Sequence, residues 1–132
     1  MTTKDSENEI CNSLLQVILP EDIFKYFEII KIDVDSKVLN VYLDEIDIKP
    51  KEYEGEKLTS KGFHASAVIQ DFPIRERTVM LHVRRRRWLV ESTGKVVSRD
   101  WNVVAEGTRY TKGFASFLKE LFGQSSNQWQ KS

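Results

Sequence analysis

The sequence predicts an α+β fold, and three observations predict it. Apolar residues recur at helical spacing near the start of the chain, a second stripe of that kind lies near its end, and the segments between them alternate with period two or carry β-prone residues between turn formers. With 132 residues the chain is long enough for one domain with its own core, or for a small domain with an appendage.

Residues 1–8 are polar and read as a frayed leader. From Glu9 to Leu19 the residues Ile10, Leu14, Val17 and Ile18 keep helical spacing, with Cys11 and Leu15 alongside. Pro20 ends that helix and opens a short second one, with Glu21 and Asp22 where the helix dipole favours carboxylates and Ile23, Phe24 and Phe27 as its apolar side. Glu28 to Val34 and Lys37 to Leu43 read as two strands joined by Asp35 and Ser36. Asp33 and Asp35 raise the question of a metal pair, but no convergent third ligand is evident and hairpin-turn chemistry accounts for both.

Asp44 to Gly62 is acidic and rich in turn formers, a connector with Pro50 and Gly55. Ala67 to Ile69 is a short strand that Pro73 should interrupt soon after. In the next strand Val79, Leu81 and Val83 share one face, and Met80 and His82 the other. A hairpin follows whose arms carry arginine and whose tip is Ser92 to Lys95, with Gly94 free to take positive φ. Val96, Val97 and Trp101 to Val104 resume β-prone residues. Thr111 is the N-cap of a helix Lys112 to Phe122, closed by Gly123, with Phe114, Phe117, Leu118, Leu121 and Phe122 on one core-facing side. Trp88, Trp101, Phe114 and Phe117 are expected to cover the arginine-bearing ribbon.

The formal net charge is zero, but it is unevenly spread. Residues 1–61 hold 8 lysines against 14 acidic residues, a net of −6, and residues 62–132 hold 12 basic against 6 acidic residues, a net of +6. All eight arginines lie in the second stretch. The chain thus divides into an acidic helix-and-hairpin part, 1–61, a basic part with the C-terminal helix, 62–123, and a polar tail, 124–132, expected to be disordered. A polyanion partner is expected for the basic part alone.

Four consecutive arginines, Arg84 to Arg87, precede Trp88. Successive strand positions project to opposite faces, so two guanidiniums should lie on each side of the ribbon. An unpaired buried guanidinium is costly, so one side should meet an acidic protein surface, unless the ribbon twists free with both sides wet. The run then reads either as a phosphate-contacting arm, since guanidinium forks match phosphate oxygens, or as a charged edge strand that blocks edge-to-edge pairing.

Catalytic signatures are missing from the sequence. Cys11 sits on an amphipathic helix as a small hydrophobe, and neither His64 nor His82 lies in a motif. No phosphate loop, dinucleotide fingerprint or nucleophile elbow occurs, and one cysteine with two histidines cannot make a four-ligand zinc site without carboxylates. The chain is read as no enzyme, with no cofactor and no metal. The polar, acidic start is unlike a secretory signal, no apolar run nears the roughly 20 residues of a membrane span, and the lone cysteine fits a reducing cytoplasm.

Gln70-Asp71-Phe72-Pro73-Ile74, the strand Val79 to Val83, Arg86-Arg87-Trp88 and Gly107-Thr108-Arg109-Tyr110-Thr111 resemble the N-terminal region of insertion-sequence transposases of the ISL-three type, where a zinc-ribbon-like domain precedes a DDE catalytic core. Gly94 stands at the glycine of the family's CxxCG knuckle, while Val90 and Thr93 occupy its two cysteine positions; an upstream CxxC pair is absent. From LLQVILPEDIFKYFEI to FASFLKEL the chain resembles more closely a separate type of short protein, the N-terminal region of ISAon-type transposases, encoded apart from the catalytic part. The resemblance implies a zinc-ribbon-like ribbon without metal and a non-catalytic DNA-binding part that recognises element ends for a catalytic DDE subunit in trans. Taken with the charge map, it makes Arg84, Arg85, Arg86, Arg87, Lys95, Arg99, Arg109 and Lys112 the expected DNA-binding residues, with the hairpin tip as the part to enter a groove. The competing expectations are a protein-interaction module, including contact with another copy of the chain through residues 1–61, and an inactive remnant.

Overall fold

A computed structural model describes residues 13–107 and 111–125; Ile10, Cys11, Arg109 and the tail from residue 126 onward lie outside them. The fold is α+β. Helix α1 (13–18) leads through Pro20 into a 3-10 turn, Glu21–Lys25. Strands β1 (Phe27–Val34) and β2 (Val38–Glu45) follow, then a second 3-10 turn, Lys51–Tyr53. The chain continues through β3 (Leu58–Phe63), β4 (Ala67–Ile74), β5 (Arg77–Arg84), β6 (Arg86–Val90) and β7 (Lys95–Val97) to helices α2 (Trp101–Gly107) and α3 (Lys112–Ser125).

The strands make two sheets. A four-stranded sheet has the order β1-β2-β5-β4, and a three-stranded sheet has the order β3-β6-β7. The hairpins β1–β2 and β4–β5 are antiparallel, whereas β2 and β5 run parallel from Val38 beside Thr78 to Asp44 beside Arg84. The acidic and basic parts of the sequence therefore share the four-stranded sheet, and the boundary between them falls inside β3.

The β1–β2 turn is built on Asp35, whose Oδ1 accepts the N–H groups of Lys37 and Val38, both at 2.8 Å. These two bonds hold its carboxyl below the usual carboxylate range, which is the turn chemistry expected of that aspartate. In β5 the expected alternation holds: Val79, Leu81 and Val83 are buried, with Met80 and His82 on the outer face. Leu39, Val41 and Leu43 of β2 and Ile69 of β4 join them on the inner face.

The helices cover that inner face. Phe114, Phe117, Leu118, Leu121 and Phe122 of α3 are all buried in the cluster, together with Leu15, Leu19, Ile23, Phe27 and Trp101. Thr111 caps α3 by accepting the Phe114 N–H at 3.1 Å. Asp22, itself buried, accepts the Thr111 N–H at 2.9 Å and pairs with Lys25 at 3.1 Å. A Cβ on Gly113 would come within 2.8 Å of Pro20 Cγ, so glycine permits this close seating of α3 on the N-terminal turn.

Several expectations need correction. Leu15 of α1 and Leu19 just after it are buried, while Leu14, Val17 and Ile18 face solvent. The expected connector holds strand β3, whose Thr59, Ser60 and Lys61 are exposed; it is an edge strand without an apolar face to announce it. Pro73 does not stop β4, because β4 is an edge strand and a register shift between Asp71 and Ile74 accommodates the missing donor. Trp101 to Val104 is helix, started by Asp100, whose Oδ1 accepts the Asn102 N–H at 2.9 Å; the cap outweighs the β propensity of two valines. Helix α3 runs through Gly123 to Ser125. Trp101, Phe114 and Phe117 cover the four-stranded sheet, and Trp88 alone of the expected four lies in the second ribbon.

Trp101 is 3% exposed, stacked on Phe27 at 5.5 Å and edge-on to Tyr26 at 5.2 Å. Trp101→Ala should lower the unfolding free energy by about 3–5 kcal/mol in chemical denaturation. Its indole N–H has no hydrogen-bond partner among the described residues, so Trp101→Phe should cost far less. A second expectation concerns pH. The Thr111 N–H, ahead of the Lys25 contacts and against the effect of burial, holds the Asp22 carboxyl below its ordinary value. A folded pKa below the unfolded one gives stability that is present above about pH 4 and lost as pH falls through the folded value. Wild type and Asp22→Asn should accordingly differ most near neutrality and converge in acid, as read from unfolding curves across pH.

Candidate nucleic-acid interface

The arginine run straddles the junction of the two sheets: Arg84 ends β5, Arg85 lies between, and Arg86 and Arg87 begin β6. Period two then sorts the four side chains. Arg84 makes a bidentate pair with Asp44, Nε to Oδ1 at 2.7 Å and Nη2 to Oδ2 at 2.6 Å. Arg86 donates from Nε to the Glu45 carbonyl at 3.0 Å and from Nη1 to Ser60 Oγ at 2.6 Å. Both guanidiniums lie over the Phe63 ring, at 4.2 and 4.7 Å. Arg84 and Arg86 are thus bound within the protein, on the acidic surface that the sequence requires for one side of the ribbon.

Arg85 and Arg87 are different. Neither side chain makes a hydrogen bond or ion pair among the described residues. Arg85 is half-buried, its guanidinium 5.8 Å over the Phe122 ring, and burial lowers its pKa against the favourable field of Glu45. The Arg85 carbonyl accepts the His64 N–H at 2.8 Å, which brings the segment after β3 against the run. In the β6–β7 ladder Trp88 faces Val97 as the last pair of the register, and Arg87 and Ser98 each lie one residue beyond it. His64 Nε2 meets Ser98 Oγ at 2.6 Å. Burial first, then the charges of Arg85 and Arg87, lower the His64 pKa, so the imidazole is neutral near pH 7.

Arg99 points inward. Its side chain is 7% exposed, donates from Nε to Glu45 Oε2 at 2.7 Å and from Nη2 to the Ile48 carbonyl at 2.5 Å, and lies 5.3–5.8 Å from the rings of Tyr26, Trp88 and Trp101. Glu45 is fully buried and also accepts the Arg86 N–H at 3.0 Å. Desolvation raises its pKa, opposed by Arg99 and by that N–H. The same connector binds Trp88, whose Nε1 donates to Asp47 at 2.8 Å, and Asp100, whose N–H donates to Glu52 at 2.8 Å.

The turn from Glu91 to Gly94 is closed by Val90, whose carbonyl accepts the N–H groups of Thr93 at 3.2 Å and Gly94 at 2.8 Å, with Gly94 at φ +75°. Val90 and Thr93, at the cysteine positions of the resemblance, are joined by a backbone hydrogen bond. The tip itself is tied to acidic neighbours, Ser92 to Glu56 at 2.9 Å and Thr59 to Glu91. Lys95 is exposed at the start of β7, its side chain without a partner among the described residues. Lys112 is exposed at the start of α3, about 15 Å along that helix from Phe122, the residue that Arg85 lies over. It borders an open apolar cleft of about 560 Å³ lined by Ile18, Ile23, Ile69, Phe72, Ile74 and Phe117 among others. The structure therefore gathers Arg85 and Arg87, holds Arg84, Arg86 and Arg99 in internal pairs, and sets Lys112 elsewhere.

Sequence reasoning missed His64 and Ser98. His64 lies in no motif, Ser98 opens the Ser98-Arg99-Asp100-Trp101 stretch of the resemblance without a role assigned to it, and only the β3–β6 and β6–β7 pairings bring the two together. Among the described residues no group of three or more His, Cys, Asp or Glu is placed to hold a metal ion, and no helix is long and apolar enough to cross a membrane. No family model, curated protein or solved structure matches the chain.

Removing one member of the buried Glu45–Arg99 pair leaves the other charge without compensation. Arg99→Met should destabilise the fold by about 3–5 kcal/mol, and adding Glu45→Gln should recover part of that loss in urea denaturation. If Arg99→Met left the fold intact and weakened only DNA binding, the internal role assigned to Arg99 would be wrong.

Proposed function

We propose that this chain is a non-catalytic DNA-binding module, the N-terminal part of an insertion-sequence transposase that recognises element ends for a catalytic subunit encoded separately. The observation that carries the DNA-binding reading is the split of the arginine run. Arg84 and Arg86 spend their hydrogen bonds inside the protein, while Arg85 and Arg87 keep theirs for something else. A half-buried guanidinium with no acceptor is an anion site in waiting, and phosphate is the anion whose geometry matches the fork. The transposon-end part of the reading rests on the sequence resemblance.

The test is a fluorescence-anisotropy titration with terminal-repeat and scrambled duplexes at about 150 mM salt, where nonspecific affinity has weakened. Terminal-repeat DNA should bind more tightly. Arg85→Ala and Arg87→Ala should each reduce the salt slope of log K by about 0.9, whereas Arg84→Ala and Arg86→Ala should lower the thermal midpoint instead. Equal effects of the two pairs on the slope would defeat the assignment of faces, and no binding by the folded wild type would defeat the DNA reading. A second reading, an accessory module that docks on a protein, draws on the cleft beside α3, where Phe72 is 86% exposed.

A further inference from the structure

Resting on the DNA-binding reading above, we propose that His64 and Ser98 join Arg85 and Arg87 in a single phosphate site that takes one backbone phosphodiester of the nucleic acid. Two guanidiniums, a hydroxyl and the imidazole that orients it come there from three segments. Arg85 comes from the junction of the two sheets, Arg87 from β6, His64 from the segment leaving β3, and Ser98 from the end of β7. The His64 N–H on the Arg85 carbonyl and the Nε2–Oγ contact at 2.6 Å fix the histidine and the serine to each other and to the run.

The chemistry suits an anion better than it suits any partner within the protein. With its proton on Nε2, the neutral imidazole donates to Ser98 Oγ and leaves the hydroxyl hydrogen free to donate onward. Two guanidiniums without acceptors among the described residues act on this pair, and both oppose a further positive charge on His64. The site has donors in excess and no carboxylate hydrogen-bonded to it among the described residues; Glu45, whose charge acts on Arg85, is already occupied by Arg99 and the Arg86 N–H. A phosphodiester supplies two non-bridging oxygens and the missing negative charge together. A catalytic serine–histidine dyad would require in addition a third group to orient the imidazole, and none is hydrogen-bonded to His64 Nδ1 among the described residues.

The protein has two histidines, His64 and His82, and His82 serves as an internal reference because it is stacked on Tyr42 at 4.3 Å and bonded to Asn40 at 2.7 Å on the outer sheet face. Inorganic phosphate is titrated into the full chain at constant ionic strength and pH 7, and the two imidazole proton resonances are followed by NMR. The His64 resonance should move saturably and that of His82 should not; sodium chloride should reproduce neither shift. In DNA titrations Ser98→Ala should weaken affinity about tenfold, the size of one hydrogen bond to a charged group, and Ser98→Thr, which keeps the hydroxyl, should restore most of it. An unmoved His64, or the same drift in both histidines, overturns the site while wild-type DNA binding stands by itself. Phosphate binding without any DNA binding overturns the nucleic-acid ligand and with it the function proposed above. Unchanged DNA affinity in Ser98→Ala and His64→Gln, with both variants folded by circular dichroism, overturns their membership of the site.

Discussion

The rest of the structure depends on one buried carboxylate. Glu45 ends β2 on the inner side of the four-stranded sheet, opposite Phe27, with no exposure at all. A charge there is tolerable only with partners, and it has two: the Arg99 guanidinium and the Arg86 N–H. These bonds reach from the first sheet to both arms of the β6–β7 hairpin. They fix where the chain bends out of β5, and they place Arg99 among Tyr26, Trp88 and Trp101. A ribbon of five and three residues is too small to be stable by itself, so contacts with the rest of the fold must supply what is lacking. Here an ion pair, an indole hydrogen bond to Asp47 and a stack of aromatic rings occupy that role.

That arrangement also explains the uneven charge. The acidic residues from Asp44 to Glu52 bind the basic ribbon: Asp44 pairs with Arg84 and Glu45 with Arg99, while Glu45 also accepts the Arg86 N–H, Asp47 the Trp88 indole N–H and Glu52 the Asp100 N–H. A molecule with zero net charge therefore keeps Arg77, Arg84, Arg86 and Arg99 occupied internally and leaves Arg85 and Arg87 of the run with spare hydrogen bonds. Strand geometry makes the selection. Because neighbours alternate, Arg84 and Arg86 of the run turn to this flank and hydrogen-bond there, while Arg85 and Arg87 do not.

Much of this was legible in the residues. The period-two pattern of β5, the Asp35 turn, the Thr111 cap and the aromatic face of α3 are local features, each written within a few positions of the sequence. The need for an acidic surface under one side of the arginine run followed from the cost of burying guanidinium. Which acids supply it did not, since Asp44 and Arg84 meet through a parallel pairing of strands 40 residues apart. Strand β3 was invisible because an exposed edge strand has no apolar alternation, and α2 was hidden by its valines. Arg99 looked like a surface cation until the ring cluster around it was known. Nothing in the sequence joined His64 to Ser98, because 34 positions separate them and only the strand pairings bring them to 2.6 Å.

The parallel partnership of β2 with β5 has a consequence for how the chain is made. Thr78, which pairs with Val38, is synthesised 40 residues later, roughly two to eight seconds at ordinary ribosomal speeds. Throughout that interval the β1–β2 hairpin stands with one edge open and Val41 and Leu43 uncovered. Its own carboxylates, from Glu28 and Asp33 to Asp44 and Glu45, then repel other copies of the same hairpin on neighbouring nascent chains. The acidity of the first half protects the growing polypeptide before it serves as the counter-charge of the finished fold.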